Sequence, residues 1–274
     1  MGPKSALAAS VADASEPIER AALLVARDAY PALDIGHYVG MLDRWALEFG
    51  RGVLPAATTF ADPFAAARQL GAYLFGGLGF QGNHQAYYDA RNSYLNDVLD
   101  SRRGIPLTLA IVILAISRRV GLAADGILFP GHFLVRLGGP SGCFIDPFLG
   151  ARILSSVDLE ILIKRTMGPD AELTREHLAI ADKRAMVIRM LNNLRAIYEK
   201  TGSYARGLVV CDRLVDLDAG PTALRDRGLC ALAMGAHEAA RADLSLYLER
   251  APDAEDRQKI QKAMTRARST SILN

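Results

Sequence analysis

Residues 92 to 150, NSYLNDVLDSRRGIPLTLAIVILAISRRVGLAADGILFPGHFLVRLGGPSGCFIDPFLG, contain the features from which the fold of this chain is predicted. Pro106 suits a first helical position, and the apolar residues after it occur on every face of a helix. Arg118 and Arg119 suit the last turn, and Gly121 suits the end. The sequence therefore predicts a helix that is buried on all sides and too short to cross a membrane.

Three short strands are predicted after this helix, at residues 125–129, 132–137 and 143–148, and a turn at residues 138 to 142 joins the last two. If this hairpin centres on Gly139, His132 on the second strand lies directly opposite Asp146 on the third. A carboxylate in that position could orient the imidazole ring and stabilise its charged form. The register is assumed, because a slip by one residue would put the two side chains on opposite faces.

The order of a buried helix, a strand with His132 and a strand with Asp146 resembles the transglutaminase-like superfamily, whose Cys-His-Asp triad follows that order. The chain resembles more closely a bacterial branch, the invasion-regulator-like B proteins, which add a C-terminal segment of tetratricopeptide type. The resemblance covers roughly residues 18 to 260. Its motifs are NSYLNDVL at 92–99, RRGIPLTL at 102–109, PGHFLVRL at 130–137 and IDPFLG at 145–150.

The resemblance implies an α+β fold with two parts. The first is a papain/transglutaminase-like domain, in which a buried central helix packs on a small antiparallel sheet. The second is an all-α tetratricopeptide-like segment. We expect a flexible tail at residues 1–17, the first domain at 18–168 and the helical domain at 169–274, with the boundary at the turn Gly168-Pro169-Asp170.

The C-terminal helices repeat weakly. A shift of 33 residues aligns Tyr198 with Ala231 and Gly202 with Gly235, a period typical of tetratricopeptide repeats. Such repeats bind peptides or helices, so we expect a protein or peptide partner at this segment.

The nucleophile of the superfamily is missing from its expected place. It sits about two residues after a glycine at the start of the central helix, and here Gly104 is followed by Ile105 and Pro106. The cysteines of this chain stand elsewhere, at Cys143, Cys211 and Cys230. Thr108 is the only hydroxyl in the first turn, and a hydroxyl needs an adjacent base to attack. The candidate catalytic residues are Thr108, His132 and Asp146, either working or vestigial.

Asn92 and Asn96 are predicted to lie one turn apart on a helix from Gln85 to Asp100. They could hydrogen-bond the backbone of the following loop or line a cleft, and they are candidate binding residues with Arg103.

Two adjacent arginines, Arg102 and Arg103, precede the central helix. We expect one of them to pair with a carboxylate, Asp97 or Asp100, and the other to be available for an anionic ligand. The sequence does not distinguish which of the two takes each role.

The composition excludes several classes of protein. With 32 basic and 30 acidic residues, the formal net charge is +2, which does not suggest nucleic-acid binding. Three irregularly spaced cysteines indicate a reduced compartment, and no apolar segment follows Lys4, so a cytoplasmic location is predicted. The glycines of residues 76 to 83 follow a predicted helix and do not fit a dinucleotide fingerprint. We expect no cofactor, no metal ion and no membrane contact.

Two functions remain open at this point. The first is a non-catalytic adaptor or regulatory protein, in which a transglutaminase-like domain without its nucleophile is joined to a partner-binding repeat segment. The second is a cysteine-less hydrolase or acyl-transfer enzyme, in which Thr108 or a water attacks an amide or ester, with His132 as the base and Asp146 as its orienting group.

Overall fold

The computed structural model of the protein describes residues 5–52 and 62–271, with side chains described through residue 265. Contacts divide the chain into two units, one of residues 10–187 and one of residues 188–271 together with residues 5–9. The first unit combines helices with a small antiparallel sheet, and the second is helical. The α+β fold predicted from the sequence is confirmed.

Seven α-helices among the described residues precede the repeat segment. Their bounds are α1 Ala6–Ala12, α2 Ile18–Arg27, α3 Ile35–Gly52, α4 Pro63–Gly71, α5 Leu95–Ser101, α6 Pro106–Arg119 and α7 Ser156–Met167. A π-helical turn over residues 72–77 continues α4, and short 3-10 helices occur at residues 90–93, 139–141 and 147–149.

The strands form two separate groups. The first two, β1 Gln81–Gly82 and β2 Arg103–Gly104, pair in parallel. The other strands form an antiparallel sheet in chain order. They are β3 Ala124–Ile127, β4 Leu134–Leu137, β5 Cys143–Asp146 and β6 Arg152–Leu154.

The central helix α6 is buried as its sequence predicts. Every residue from Pro106 to Ser117 is buried, and the helix contacts β3 and β4. The C-terminal end of α6 is charged. Arg118 and Arg119 both donate to the buried carboxylate of Glu19, at 2.7 and 2.5 Å. Apolar burial on all sides therefore fixes α6 against the sheet, and one ion-paired cluster closes its end.

The structure differs from the predicted flexible tail at residues 6 to 12, which form α1. The physical reason is a lysine side chain that binds backbone carbonyl groups in the last turn of α1 and in the loop after it. Lys183 Nζ donates to the carbonyl oxygens of Ser10, Asp13 and Glu16, at 2.7, 2.5 and 2.7 Å. An ammonium group carries three donors, so this one lysine can hold the whole segment.

The boundary between the units also differs from the predicted turn at residues 168 to 170. Residues 169–187 group with the first unit. The backbone N–H of Ala181 donates to the Gly126 carbonyl at 2.8 Å, and Ile180 forms an isolated bridge with Ile127 at the edge of β3. The segment after the turn is therefore tied to the sheet by backbone hydrogen bonds, which no local sequence pattern reveals.

The repeat segment consists of successive helices, as the repeat period predicts. They are α8 Lys183–Lys200, α9 Tyr204–Asp216, α10 Pro221–Ala233, α11 His237–Arg250 and α12 Arg257–Ser271. Small residues allow close approach, since a Cβ at Gly228 of α10 would lie 2.8 Å from Leu244 Cγ of α11. Arg227 connects neighbouring helices, because it donates to Asp212 of α9 and to Asp243 of α11, at 2.8 and 2.7 Å.

Among the described residues, no helix has both the length and the apolar character that crossing a bilayer requires. Within the same residues, His, Cys, Asp and Glu side chains do not cluster in threes as a metal site would need.

Candidate functional site

His132 and Asp146 are in direct contact. The imidazole Nε2 lies 2.8 Å from Asp146 Oδ2, and the two side chains are 16% and 5% exposed. The other carboxylate oxygen, Oδ1, accepts the backbone N–H groups of Phe148 and Leu149, at 2.8 and 3.3 Å. The 3-10 helix of residues 147–149 thus holds the carboxylate in place, and the carboxylate holds the ring.

The contact forms in a register other than the one assumed from the sequence. In the β4–β5 hairpin Val135 pairs with Ile145, so the turn centres on Pro140 and not on Gly139. His132 precedes β4, which begins at Leu134. A shift by two positions keeps both side chains on one face of the sheet, and diagonal neighbours are still within reach of a long side chain. The assumed register was wrong, and the contact forms between a residue that precedes β4 and the last residue of β5.

The contact fits one neutral tautomer of the imidazole. A carboxylate only accepts, so in the tautomer that donates from Nε2 to Asp146 the lone pair of Nδ1 is available. No described residue donates to or accepts from Nδ1. A ring oriented by a carboxylate in this way has the form of a general base.

Thr108 is not brought to this base. Its hydroxyl is fully buried and donates to the Asn92 carbonyl oxygen at 2.8 Å, while it accepts from the Ile105 N–H at 3.2 Å. Thr108 therefore satisfies the start of α6, as hydroxyl side chains commonly do at helix N-termini. Of the two alternatives for Thr108, working or vestigial, this arrangement favours the vestigial one, because its hydroxyl already donates its proton to a backbone carbonyl in the interior.

Asn92 holds a loop. Its amide group donates to the carbonyl oxygens of Ala86 and Tyr87, at 2.6 and 3.1 Å, and its side-chain oxygen accepts from Asn83 at 2.9 Å. Asn92 takes both roles that were considered for it: it hydrogen-bonds a backbone loop, although the preceding one, and it lines a cleft.

Asn96 does not share a helix with Asn92. The predicted helix of residues 85–100 is divided, with Asn92 in a 3-10 helix and Asn96 in α5. The chain is extended at Tyr94 between them, which breaks the periodicity on which the shared face rested. Asn96 is buried, and its side-chain oxygen has no hydrogen-bond partner.

Arg103 is exposed and lines a cleft of about 470 Å³. Its guanidinium pairs with no carboxylate among the described side chains. The cleft is lined by Asn83, Gln85, Ala86, Asp89, Arg91, Asn92, Asp97, Asp100, Ser101 and Arg103. Two of the three predicted binding residues, Asn92 and Arg103, therefore meet at one cavity.

The expected ion pair of a neighbouring arginine does not form. Arg102 lies 4.3 Å from the ring centre of Trp45, where burial lowers the pKa of its guanidinium. The expected partners are engaged elsewhere, because Tyr30 and Tyr38 donate their hydroxyls to Asp97 and Asp100, both at 2.7 Å. An aromatic face thus replaces the predicted carboxylate.

Sequence reasoning missed an aromatic cluster beside the dyad. Phe148, whose N–H binds Asp146, lies 4.2 Å from the ring centre of His84 and 5.6 Å from that of Tyr87. The closeness depends on Gly82, where a Cβ would lie 2.6 Å from the Phe148 ring. The only signal was the glycine itself, since nothing in the sequence relates residue 82 to residue 148.

Comparison with known proteins adds a family likeness to this geometry. A model of the transglutaminase-like superfamily matches residues 36–192, and a tetratricopeptide repeat model matches residues 194–265. A "UPF0162 protein" of Xylella fastidiosa (strain 9a5c) is 39% identical over 249 residues, which cover 89% of this chain and 87% of that protein.

More distant relatives share less of the chain. A "UPF0162 protein" of Vibrio cholerae is 31% identical over 64% of this chain and 66% of its own length. "Protein SirB1" of Salmonella typhimurium is 28% identical over 68% of this chain and 70% of its own. No solved structure matches.

Proposed function

The chain belongs to the transglutaminase-like superfamily, in a bacterial branch that carries tetratricopeptide repeats, and we propose that it is a non-catalytic adaptor or regulatory protein that acts through protein–protein contacts. The single observation that carries the proposal is the hydrogen bond of Thr108. Its hydroxyl is fully buried and donates to Asn92, so the one hydroxyl of the first helical turn does not serve the His132 base.

The cysteines support the same conclusion. Cys143 is buried on β5 and its thiol lies 3.5 Å from the Pro63 carbonyl oxygen, while the position two residues after Gly104 is occupied by Pro106. Cys211 and Cys230 lie in the other unit. Within the described part of the chain, the start of α6 therefore offers the base no thiol.

The partner is a protein or peptide that binds the C-terminal repeats. Apolar side chains remain exposed there, among them Tyr204, Val209 and Met234 at 40%, 39% and 50%. Exposed aromatic and methionine side chains are enriched where proteins bind one another. The near-neutral net charge of +2 favours a protein partner over nucleic acid.

A second candidate function is favoured by the dyad itself. A cysteine-less hydrolase or acyl transferase would use His132 Nδ1 to activate a bound water, with Asp146 holding the ring at 2.8 Å. The proposal of an adaptor assigns this contact to the stability of the loop before β4.

Activity separates the two candidates. The wild-type chain and the His132→Ala variant are incubated with p-nitrophenyl acetate, with a peptide amide, and with a glutamine-containing protein plus a fluorescent amine. An adaptor gives equal rates for both chains. A general base contributes about 10²-fold or more, so a fall of that size in the variant, with an unchanged circular dichroism spectrum, would establish the hydrolase.

Site-specific crosslinking tests the adaptor directly. A photoreactive amino acid replaces Tyr204 or Val209 in the repeats, and Leu47, which is 51% exposed on α3, serves as the matched control. We expect the same discrete crosslinked partner in cells from both repeat positions and none from Leu47. Crosslinks from the control alone would overturn the assignment of the partner surface to the repeats.

A further inference from the structure

Two cysteine thiols meet within the repeat segment. Cys211 lies on α9 and is fully buried, and Cys230 lies on α10 and is partly exposed. Gly207 precedes Cys211 by one helical turn on the same face of α9, and a Cβ there would lie 3.1 Å from the Cys230 sulfur. The sulfur of Cys230 thus packs into the space that this glycine leaves, beside the Cys211 thiol.

The contact makes the two thiols unequal. Each thiol is the leading influence on the other, and the contact lowers the pKa of Cys230 and raises the pKa of Cys211. Burial, Asp226 and Glu199 oppose the change at Cys230, and Arg195 favours it. The thiolate, which is the reactive form of cysteine, is therefore favoured at Cys230 over Cys211.

Access follows the same order. Cys230 lines an open pocket of about 220 Å³, and Cys211 lies behind it with no exposed surface. The other residues of the pocket are Arg195, Glu199, Tyr204, Asp226, Leu229 and Ala233. A small oxidant can enter and reach the first sulfur but not the second.

We propose that Cys230 and Cys211 form a peroxide-reactive dithiol site, in which Cys230 is the attacking thiol and Cys211 the resolving thiol. The Cys230 thiolate attacks one oxygen of a peroxide, the O–O bond breaks, and a sulfenic acid forms with release of water or an alcohol. The Cys211 sulfur then attacks the Cys230 sulfur, an S–S bond forms, and the sulfenic oxygen leaves as water. Two thiols are oxidised and one peroxide is reduced, and a dithiol reductant restores the pair.

Cys143 provides a control within the same chain. It lies on β5 in the first unit, is buried, and burial raises the pKa of its thiol. It is the single cysteine of the first unit, since Cys211 and Cys230 both belong to the second. Non-specific oxidation of thiols should therefore not favour Cys211 and Cys230 over Cys143.

The test uses the full chain, reduced and freed of reductant. Short pulses of iodoacetamide on the folded protein should label Cys230 at least about tenfold faster than Cys143. After a small excess of hydrogen peroxide, peptide mapping should show a 211–230 disulfide within one chain, with Cys143 still alkylated upon unfolding, and dithiothreitol should reverse the link.

Matched variants separate the two roles. Cys143→Ser should keep the 211–230 link. Cys211→Ser should abolish it and leave Cys230 as a sulfenic acid that dimedone traps, whereas Cys230→Ser should show no dimedone adduct at Cys211. Equal alkylation of Cys230 and Cys143, or peroxide oxidation of wild type without the 211–230 link, would overturn the proposal. Because the peptide map of the wild-type chain decides it, the conclusion does not depend on the folding of any variant.

Discussion

The central helix α6 and the repeat helices α9 to α11 are held in place by different forces. In α6 every residue from Pro106 to Ser117 is buried, and the helix is fixed by apolar volume. The repeat helices approach one another at glycines and are joined by ion pairs, as Arg227 shows with Asp212 and Asp243. The position of α6 therefore depends on the apolar side chains that surround it, and the packing of the repeat helices depends on glycines that allow close approach.

This difference bears on function. A helix enclosed by apolar side chains keeps its position whether or not a nucleophile stands at its start, so the His132–Asp146 dyad can persist when catalysis is absent. Helices that meet through small residues and exposed charges keep surface available for a partner. The same close approach places Cys230 beside Gly207 and Cys211.

The largest expected effect tests the apolar packing of α6. Ile111→Ala at a fully buried position should lower the free energy of unfolding of the first unit by about 3 kcal/mol, from lost transfer energy and an unfilled cavity. Urea unfolding followed by the fluorescence of Trp45, the single tryptophan of the chain, reports on this unit. A loss below about 1 kcal/mol would mean that α6 is not held by its volume.

The second effect tests whether the dyad is a structural element. Asp146→Ala removes the acceptor of the Phe148 and Leu149 N–H groups as well as of His132, so a loss of about 2 to 3 kcal/mol is expected. His132→Ala removes one hydrogen bond, and about 1 kcal/mol is expected. The same Trp45 unfolding curves give both values. Equal losses would contradict the view that the carboxylate mainly holds the backbone of residues 147–149.

The third effect tests close approach in the repeats. Gly228→Ala should destabilise α10 by about 1 to 2 kcal/mol although alanine favours helices, because its Cβ would lie 2.8 Å from Leu244 Cγ. The matched control is Gly40→Ala on α3, where the nearest atom is 3.8 Å away, and a gain of about 0.5 to 1 kcal/mol is expected. Hydrogen exchange of residues 221–250 and of residues 35–52 measures the two. A gain at Gly228 would contradict close helix packing there.

The smallest effect contrasts one carboxylate from each region. Burial raises the pKa of Asp97, whereas the Tyr247 hydroxyl and then Arg225 lower the pKa of Asp256. A raised pKa means that ionised Asp97 costs stability at neutral pH, and a lowered pKa means that ionised Asp256 adds stability that is lost as the pH falls through its folded value. Asp97→Asn should therefore stabilise at pH 7 and Asp256→Asn should destabilise, each by less than about 1 kcal/mol.

Urea unfolding at pH 7 and at a pH below 3.8, the ordinary pKa of an aspartate, measures these two variants. Trp45 fluorescence serves for Asp97→Asn, and hydrogen exchange of the repeats serves for Asp256→Asn. The Asp97 difference should shrink once the pH is below 3.8, whereas the Asp256 difference should shrink only at a lower pH, because the folded pKa of Asp256 lies below its ordinary value. If both variants change the free energy of unfolding in the same direction at pH 7, then burial does not dominate at Asp97 or hydrogen bonding does not dominate at Asp256.

Much of the fold was predictable from local patterns. The start of α6 at Pro106, its burial and its end at Arg119 follow from residue type alone, since an apolar run bounded by proline and arginines satisfies few other structures. The repeat helices followed from their period. The domain boundary was not predictable, because the segment from 169 to 187 joins the first unit through hydrogen bonds from Ala181 to Gly126, distant in sequence.

The site was predictable only in part. His132 and Asp146 were identified from a predicted strand pair, but the register was wrong by two positions, and His132 reaches Asp146 from the bend before β4. Thr108 was assigned a role from its place in the first turn, and its actual partner, the Asn92 carbonyl, lies 16 residues away. The partner of Arg102 is an aromatic ring at Trp45, which no charge pattern suggests.

The sequence by itself determined that α6 and the repeat segments are helical, that α6 is buried, and that a cysteine is missing from the start of α6. These follow from composition and period, which act over a few residues. Only the tertiary structure decided which donor meets which acceptor: that Thr108 caps α6, that Asp146 holds Phe148 and His132 together, and that Cys230 lies beside Cys211. Hydrogen bonds and thiol contacts need positions correct to a fraction of an ångström, and that accuracy comes from packing between elements far apart in the chain.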